Sequence, residues 1–233
     1  MDYFFHPDLS IDIITLDQEE SKHCIRVLRR KSGDLIHIID GKGGLYTCRI
    51  INADQSKTTV KIIKEEHFPV KDFTIHIAIA PTKNMDRMEW FVEKCVEIGI
   101  DEITFIQCHN SDRKTLKKDR LFKKAVSALK QSGNVYMPAM YGLISYQDFL
   151  KQDFNQIQKF IGHAEKGRNH SILKAIEPGQ HYLILIGPEG DFTDDELQLA
   201  FNMGFLPVSL GYSRLRTETA GIVTCSILNL VNS

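Results

Sequence analysis

The stretch Tyr182-Leu-Ile-Leu-Ile-Gly-Pro-Glu-Gly-Asp-Phe-Thr193 joins an apolar run to a glycine-containing turn and then to the start of a helix. The continuous apolar run Tyr182–Ile186 is typical of a parallel strand that is buried on both faces. Thr193-Asp-Asp-Glu196 has the pattern of a capping box, so a helix is predicted from there to about Asn202. A strand, a tight turn and a helix in this order indicate an α/β domain.

The same alternation of strands and helices extends from Phe73 towards the C-terminus. The other predicted strands are Phe73–Ala80, Glu102–Gln107, Lys159–Gly162 and Leu206–Leu210, and the other predicted helices are Asn84–Ile98, Lys117–Gln131 and Ala220–Val231. Gly99 stands where a C-cap is expected for the first of these helices. The last helix is apolar almost all round, so we expect it to be buried against the sheet or a second subunit. The pattern predicts a parallel or mostly parallel α/β domain.

Residues 1–66 have a different pattern, in which short strands are separated by turns. The predicted strands are Asp34–Asp40, Tyr46–Ile51 and Thr58–Ile63, with one short helix around Gln18 to Leu28. Strands at this spacing indicate a small β-barrel. The segment Glu65–Asp72 contains Pro69 and is predicted to be a linker.

The composition is that of a globular protein. The chain has 233 residues, of which 42% are hydrophobic and 25% charged, which excludes a disordered, collagen-like or coiled-coil chain. No apolar run approaches the ~20 residues that cross a bilayer, and the N-terminus lacks the pattern of a signal peptide. We therefore expect a cytoplasmic protein without membrane association. Five scattered cysteines, without C-x-x-C spacing, predict buried small residues, and no metal site is expected.

The net charge of −1 hides an uneven distribution of charge along the chain. Lys22–Lys31 carries five Lys or Arg and no acid, and His109–Lys130 carries eight Lys or Arg and two Asp. From His181 to the end, six acids accompany two arginines. Either basic segment alone is more simply a solvated helix face, but the two together favour contact with RNA phosphates.

The turn that follows Tyr182–Ile186 is a candidate ligand loop. In open α/β sheets, ligands bind at the carboxyl ends of the strands, and Gly187 and Gly190 allow a close backbone approach. Four acidic residues (Glu189, Asp191, Asp194 and Asp195) would repel a phosphate, so the loop favours a neutral or cationic ligand. The alternative is a tight connection that binds nothing.

A second charged cluster follows the predicted strand Leu206–Leu210. Arg214, Arg216 and Glu218 lie between a buried strand and a buried helix, where charges are unfavourable unless they are paired or functional. In one interpretation Glu218 pairs with Arg214 at the helix N-terminus. In the other, Arg216 stabilises negative charge on a substrate.

The order GPEGDF (187–192) and then LGYSRLRTETA (210–220) resembles the ribosomal RNA small subunit methyltransferase E family. Further blocks are similar to the family. In the helix Lys83–Gly99 the matching residues are Lys83, Glu89, Lys94, Glu97 and Gly99. The other blocks are His23-x-x-x-Val27-Leu28-Arg29, Ser111-Asp-Arg113, and Ala128–Ser132 with Pro138. Three positions depart from the family pattern. Asp191 replaces a Gly, Asn134 replaces an Arg, and Ser213 stands where the family has its first loop arginine, with Arg214 one place later.

The resemblance implies a knotted SPOUT-type α/β fold and an enzyme that uses S-adenosyl-L-methionine to methylate N3 of a uridine in 16S rRNA. It implies an RNA-binding, PUA-like β-barrel in residues 1–68 and a methyltransferase domain with a trefoil knot in residues 73–233. The implied partners are 16S rRNA or the small ribosomal subunit, and a second copy of the chain, with cofactor pockets near the dimer interface.

The resemblance also assigns residues to roles. The implied cofactor-binding residues are Ile186, Gly187, Pro188, Glu189, Gly190, Leu210, Gly211, Leu215, Arg216 and Thr219. The implied RNA-binding residues are Lys22, His23, Arg26, Arg29, Arg30, Arg113 and Lys114. Arg216 is predicted to lie against a uracil oxygen and stabilise the imide anion, while Glu218 either holds Arg216 or acts as the base.

Two other functions remain as alternatives. One is an RNA-binding or assembly factor with a vestigial pocket, which the departure at Asp191 favours. The other is a nucleotide-dependent enzyme, which the missing G-x-x-x-x-G-K-[ST] motif and the acidic loop disfavour. A methyl-transfer assay distinguishes the methyltransferase from the assembly factor. Binding of S-adenosylhomocysteine rather than ATP distinguishes it from the nucleotide-dependent enzyme.

Overall fold

The computed structural model describes residues 2–155, 157–163 and 170–233. The chain forms two compact units. One comprises Met1–Val70 with Val126–Met137, and the other comprises Lys71–Ala125 with Pro138–Ser233. Residues 126–137, which lie within the predicted range 73–233, therefore group with the first unit.

The first unit is built on a five-stranded sheet. Its strands are β1 (Tyr3–Phe5), β2 (Ile13–Thr15), β3 (Leu35–Ile39), β4 (Gly44–Asn52) and β5 (Thr59–His67), in the order β1-β3-β4-β5-β2. The β1–β3 pair is parallel and the other pairs are antiparallel. The three strands predicted here are confirmed, whereas β1 and β2 escaped prediction because three residues are too short to show alternation. Phe4, Leu16, Ile38 and Ile50 lie in the core that one face of the sheet covers.

A short helical segment leads from β2 towards β3. Helix α1 (Gln18–Lys22) begins after Asp17, whose Oδ1 accepts a hydrogen bond from the Glu20 amide at 2.8 Å, and it continues as a π-helical turn, His23–Val27. Together they confirm the helix predicted around Gln18 to Leu28.

Residues 126–137 are hydrogen-bonded to the rest of the first unit. The amide of Gly43 donates to Val135 O at 3.0 Å, and the amide of Met137 donates to Gly41 O at 2.9 Å. The Tyr136 hydroxyl donates to Phe68 O at 2.5 Å. These bonds make the returning segment an integral part of the unit.

The second unit contains a seven-stranded sheet in which every described pairing is parallel. Its strands are β6 (Ile75–Ile79), β7 (Glu102–Gln107), β8 (Ala139–Ser145), β9 (Ile157–Gly162), β10 (His170–Ser171), β11 (His181–Ile186) and β12 (Leu206–Ser209). Their order is β10-β12-β9-β11-β6-β7-β8. Tyr182–Ile186 are fully or almost fully buried at the centre of this sheet, which confirms the strand expected from that apolar run.

The helices match the predicted pattern closely. They are α2 (Met85–Ile98), α3 (Lys118–Ser132, which enters the first unit at Val126), α4 (Tyr146–Leu150), α5 (Ile172–Ala175), α6 (Asp194–Asn202) and α7 (Thr217–Val231). Gly99 is the left-handed C-cap of α2 with φ of 103°, as predicted. The capping box of Thr193 and Glu196 is also present at α6. Four further elements of this unit, β8, α4, α5 and β10, were not predicted from the sequence.

Helix α7 begins at Thr217, three residues earlier than predicted, with Arg216 as its N-cap. One face packs against α2, β6 and β11 and buries Gly221, Cys225 and Leu228. The opposite face is less covered than its apolar composition predicts, since Leu230 is 70% exposed. The prediction of a buried helix is therefore correct for one face within this chain.

The contact between α7 and α2 depends on the missing side chain of Gly221. A Cβ added there would lie 2.4 Å from Cε2 of Phe91, whose ring is completely buried. The Gly221→Ala substitution gains about 1 kcal/mol of helix propensity, but a rigid buried ring cannot move aside. We expect a net loss of about 1–2 kcal/mol in the free energy of unfolding, because overpacking outweighs propensity. Chemical denaturation checks this, with Ser226→Ala on the same helix as the near-neutral control.

All five cysteines are free and buried, which confirms their interpretation as small core residues. Among the described residues, no helix combines the length and the apolar character that crossing a membrane requires.

Candidate functional site

The two predicted ligand loops leave the same edge of the parallel sheet. Strands β11 and β12 flank β9, and all three run in the same direction. The loop after β11 and the loop after β12 therefore emerge side by side, at the edge where α/β sheets bind ligands.

Direct hydrogen bonds connect these two loops. The Thr217 hydroxyl donates to Gly187 O at 3.0 Å, and Arg214 Nη2 donates to Glu189 O at 3.4 Å. The structure thus brings the Gly187–Gly190 and Leu210–Leu215 segments together, as binding of one cofactor by both loops requires. Of the predicted cofactor-binding residues, Ile186 and Pro188 are buried, Gly187, Leu210, Leu215 and Thr219 are half-buried, and Glu189, Gly190, Gly211 and Arg216 are exposed.

Asp191 adopts a backbone conformation that a glycine would also suit. Its φ is +63°, a left-handed value that glycine adopts freely and that aspartate tolerates better than most residues. Its Oδ1 accepts a hydrogen bond from the Phe192 amide at 2.8 Å, which supports the turn locally. The departure at Asp191 is therefore compatible with the loop conformation.

Asn110 and His163, which were not among the predicted site residues, also contact the first ligand loop. Asn110 Nδ2 donates to the carbonyls of Gly190 and Asp191, both at 3.1 Å. His163 Nδ1 lies 3.6 Å from Asp191 Oδ2. Each follows the carboxyl end of a parallel strand, Asn110 after β7 and His163 after β9, and that position is the signal by which the sequence points to them.

Glu189 connects the loop to a basic cleft in the second unit. Its Oε1 accepts a hydrogen bond from the Lys83 amide at 3.1 Å, and Arg113 donates to the carbonyls of Thr82 and Lys83 at 3.1 and 2.5 Å. The cleft has a volume of about 350 Å³ and is lined by Lys83, Asp112, Arg113, Lys114 and Thr115. Three cations against one acid favour an anionic ligand such as a phosphate.

Arg216 and Glu218 lie at the beginning of α7 in contrasting surroundings. Arg216 is exposed and its side chain makes no capping hydrogen bond. Glu218 is 4% exposed, and its Oε1 lies 3.8 Å from Nε of Arg87 on α2. Its other oxygen, Oε2, is buried and has no hydrogen-bond partner among the described residues. The observed partner of Glu218 is Arg87, which comes from α2 and which no local pattern around Glu218 indicates, whereas Arg214 contacts Glu189.

The predicted RNA-binding residues of the first unit lie along α1, the π-helical turn and the residues just after it. Lys22, Arg26 and Arg29 are exposed, while His23 and Arg30 are half-buried. Arg26 Nε donates to Gln55 Oε1 at 2.6 Å, and Arg30 Nη2 lies 3.3 Å from Asp2 Oδ2. The first unit therefore presents a compact group of cations, and Arg113 and Lys114 present another in the second unit.

Family models match both parts of the chain. An RNA methyltransferase domain matches residues 69–229, and an RNA methyltransferase PUA domain matches residues 16–63. Among curated proteins, Ribosomal RNA small subunit methyltransferase E of Mesomycoplasma hyopneumoniae (strain 232) is 30% identical over 85% of this chain and 86% of its own length. The enzyme of the same name from Buchnera aphidicola subsp. Acyrthosiphon pisum is 28% identical over 97% of this chain and 91% of its own length.

Solved structures are similar over the whole chain. A "probable rRNA-methyltransferase" from Porphyromonas gingivalis has a TM-score of 0.92 and 39% identity, covering 100% of this chain and 98% of its own. Ribosomal RNA small subunit methyltransferase E from Neisseria gonorrhoeae, solved with bound S-adenosyl methionine, has a TM-score of 0.89 and 26% identity with the same coverage. These matches confirm the predicted fold class, a small PUA-like β unit followed by a SPOUT-type α/β domain.

Proposed function

This chain belongs to the ribosomal RNA small subunit methyltransferase E family, and we propose that it transfers a methyl group from S-adenosyl-L-methionine to N3 of a specific uridine in 16S rRNA. The observation that supports this most directly is the junction of the two loops, in which Thr217 and Arg214 bind the backbone of Gly187 and Glu189 at the ligand edge of the sheet. The same edge carries Arg216 and Glu218 at the start of α7.

The residues at this edge suit a cofactor with a cationic sulfur. Glu189 and Asp191 supply carboxylates beside the loop, and the position of a Cβ on Gly211 has no atom within 4 Å, which leaves its backbone open to a ligand. We assign cofactor binding to the residues predicted for it, and we propose that they hold the cofactor through their backbone. They are Ile186 to Gly190, Leu210, Gly211, Leu215, Arg216 and Thr219. When bound, the cofactor supplies a methyl group that is already activated by the sulfonium.

Arg216 then has the role of stabilising the substrate's negative charge. The neutral N3 of uracil is a poor nucleophile, so the imide must lose its proton, and a guanidinium against a uracil oxygen favours the resulting anion. Arg216 is exposed and its side chain makes no capping hydrogen bond, so its guanidinium is available to contact the substrate. The positive end of the α7 dipole favours an anion at the same place.

Glu218 is the residue we assign as the base that accepts the N3 proton. Among the described residues, Glu218 has no ion pair with Arg216, so holding that arginine is the less supported of its two predicted roles. Its Oε2 accepts no hydrogen bond from the described residues, which leaves this oxygen available to take a proton.

RNA phosphates would bind the two groups of cations. In the first unit these are Lys22, Arg26, Arg29 and Arg30 with His23, and in the second unit Arg113 and Lys114 at the basic cleft. Contacts of this kind fix the position of RNA without reading its sequence. The target uridine must leave its stack to enter the site.

We also propose that the protein acts in the cytoplasm as a homodimer, with the predicted trefoil knot in the second unit. The half-covered face of α7, with Ile222, Ile227 and exposed Leu230, supplies apolar surface for a second copy.

The decisive test is mass spectrometry of nucleosides, with site mapping, on small-subunit rRNA from cells that lack the protein. We expect one 3-methyluridine to disappear and to return with the wild-type gene but not with Arg216→Ala. Persistence of every methylated uridine would contradict the proposal. Tight RNA binding without methyl transfer by the purified protein would instead favour the assembly factor with a vestigial pocket.

Ligand binding gives a second, cheaper prediction. S-adenosylhomocysteine at 100 times its Kd stabilises the folded state by about 2.7 kcal/mol, which corresponds to a rise in Tm of about 5–10 °C for a chain of this size. ATP at the same concentration should leave Tm unchanged. A shift with ATP alone would favour the nucleotide-dependent alternative. Differential scanning fluorimetry measures both.

A further inference from the structure

A second cavity lies within the first unit, beside the predicted RNA-binding segment. Its volume is about 480 Å³, and its lining comprises Asp2, Tyr3, Glu19, Glu20, His23, Ser127, Lys130 and Gln131. This volume falls within the range of about 300–1,000 Å³ that is usual for small-ligand pockets. The lining comes from α1, from the π-helical turn and from the returning segment of α3.

Glu20 gives this cavity a buried hydrogen-bond acceptor without a partner. The residue is only 7% exposed, and its Oε1 forms an ion pair with Lys130 Nζ. Its Oε2 is buried and accepts no hydrogen bond from the residues that the structure describes. Buried polar atoms are almost always hydrogen-bonded, so Oε2 at the wall of the cavity is an acceptor that a donor inside the cavity can satisfy.

The charges of the lining exclude a phosphate as the occupant. Asp2, Glu19 and Glu20 are opposed by Lys130 alone among the residues that line the cavity, so its field repels anions. A neutral group that carries an N–H donor satisfies Glu20 Oε2 without bringing further negative charge.

We propose that this cavity receives one unstacked nucleobase of the rRNA, which donates an N–H group to Glu20 Oε2. The inference rests on the proposed function, because it takes rRNA as the substrate, and it adds a base-binding subsite remote in sequence from the methyl-transfer loops. On the edge of a nucleobase, an acceptor atom stands next to the N–H group. Lys130 Nζ has further protons that can donate to this acceptor. The rings of Tyr3 and His23 supply aromatic surface on which a base stacks.

Neighbouring residues are arranged to hold the flanking phosphates outside the cavity. Lys22 and Arg26 are exposed on the same helical segment as Glu20 and His23, and Arg30 pairs with Asp2, which lines the cavity. A base inside and phosphates outside match the way proteins bind single-stranded RNA. Tyr3 is held in place because it packs over Gly133, where an added Cβ would lie 2.8 Å from the ring.

The test is a cycle of two changes, one in the protein and one in the RNA. Fluorescein-labelled octauridylate and the same oligomer with N3-methyluridine at every position are titrated, without cofactor, against wild type, Glu20→Gln and Glu19→Gln. The methyl group removes the N–H donor, and we expect it to weaken binding to wild type about tenfold, as expected for one lost hydrogen bond to a buried charged group. In Glu20→Gln this penalty should fall to about threefold or less, because a neutral amide oxygen accepts a weaker hydrogen bond than a carboxylate, whereas the exposed control Glu19→Gln should keep it.

The cycle distinguishes this cavity from the methyl-transfer site. If N3-methylation weakens binding at the methyl-transfer site, the loss of affinity persists in Glu20→Gln. An equal penalty in all three proteins, or none in wild type, overturns the proposal. If Glu20→Gln weakens binding to the small subunit while leaving the oligonucleotide cycle unchanged, the occupant is a basic protein side chain and the proposal is wrong.

Photocrosslinking of wild type with 5-iodouridine oligomers tests the position without any substitution. We expect crosslinked peptides that contain Tyr3 or His23, and crosslinks confined to the second unit contradict the inference. Methylation of small-subunit rRNA is measured on the same wild-type preparation. Methyl transfer without base-dependent binding overturns the cavity alone, whereas absence of methyl transfer counts against the proposed function.

Discussion

The Arg216→Ala variant is expected to lose at least about 100-fold in kcat, the effect typical of removing one donor that stabilises a developing anion. The side chain is exposed and makes no capping bond, so fold and cofactor affinity should remain close to those of wild type. Single-turnover methylation of small-subunit rRNA measures the loss, and a thermal shift with S-adenosylhomocysteine reports on cofactor binding.

Arg214→Ala is the matched control for this prediction. Arg214 lies in the same loop and is also exposed, but its guanidinium donates to the Glu189 carbonyl at 3.4 Å. We expect it to reduce turnover less than tenfold. Near-normal turnover of Arg216→Ala, or an equal loss in both variants, would show that Arg216 has no specific role in charge stabilisation.

The Glu218→Gln substitution is expected to lower kcat by about 10²–10⁴-fold, the range for loss of a general base. Glutamine keeps the size of the side chain but cannot accept the N3 proton, and Arg87, which loses its partner, is 35% exposed and can be solvated. Tm should therefore change little. Methylation is assayed alongside RNA binding, which should be unaffected.

Arg87→Gln separates catalysis from positioning. If Glu218 serves only to anchor α7 to α2, both substitutions break the same ion pair and should reduce turnover equally. If Glu218 is the base, Arg87→Gln reduces turnover far less than Glu218→Gln. Similar losses in the two variants would therefore refute the assignment of Glu218 as the base.

The sequence predicted the parts of the site that depend on local patterns. The apolar strand before Gly187, the capping box at Thr193 and the C-cap at Gly99 are each set by a few adjacent residues, and each is present in the structure. The resemblance assigned both ligand loops to one cofactor, and the structure accounts for their nearness because β11 and β12 flank β9 and their carboxyl ends share one edge.

Contacts between distant residues were beyond sequence patterns. Arg87 reaches Glu218 because α2 and α7 pack together, and their approach depends on Gly221, whose role is visible only when Phe91 is seen against it. Strands β1 and β2 have three residues each, which is too few to show the alternation of apolar and polar residues that predicts a strand. The assignment of residues 126–137 to the first unit is likewise a tertiary property, because helix α3, which ends at Ser132, shows no break at Val126.

That divided first unit has a consequence for biosynthesis. While the ribosome adds residues from the N-terminus, the first 70 emerge without Val135, Tyr136 and Met137, whose hydrogen bonds to Gly43, Phe68 and Gly41 complete the unit. Non-local contacts of this kind delay folding until the later segment is available. All five strands of the sheet are therefore available before the hydrogen bonds that complete the unit, which form only after residue 137 has left the exit tunnel. A fragment ending at Val70 is expected to be a poorer folder than its strand content suggests.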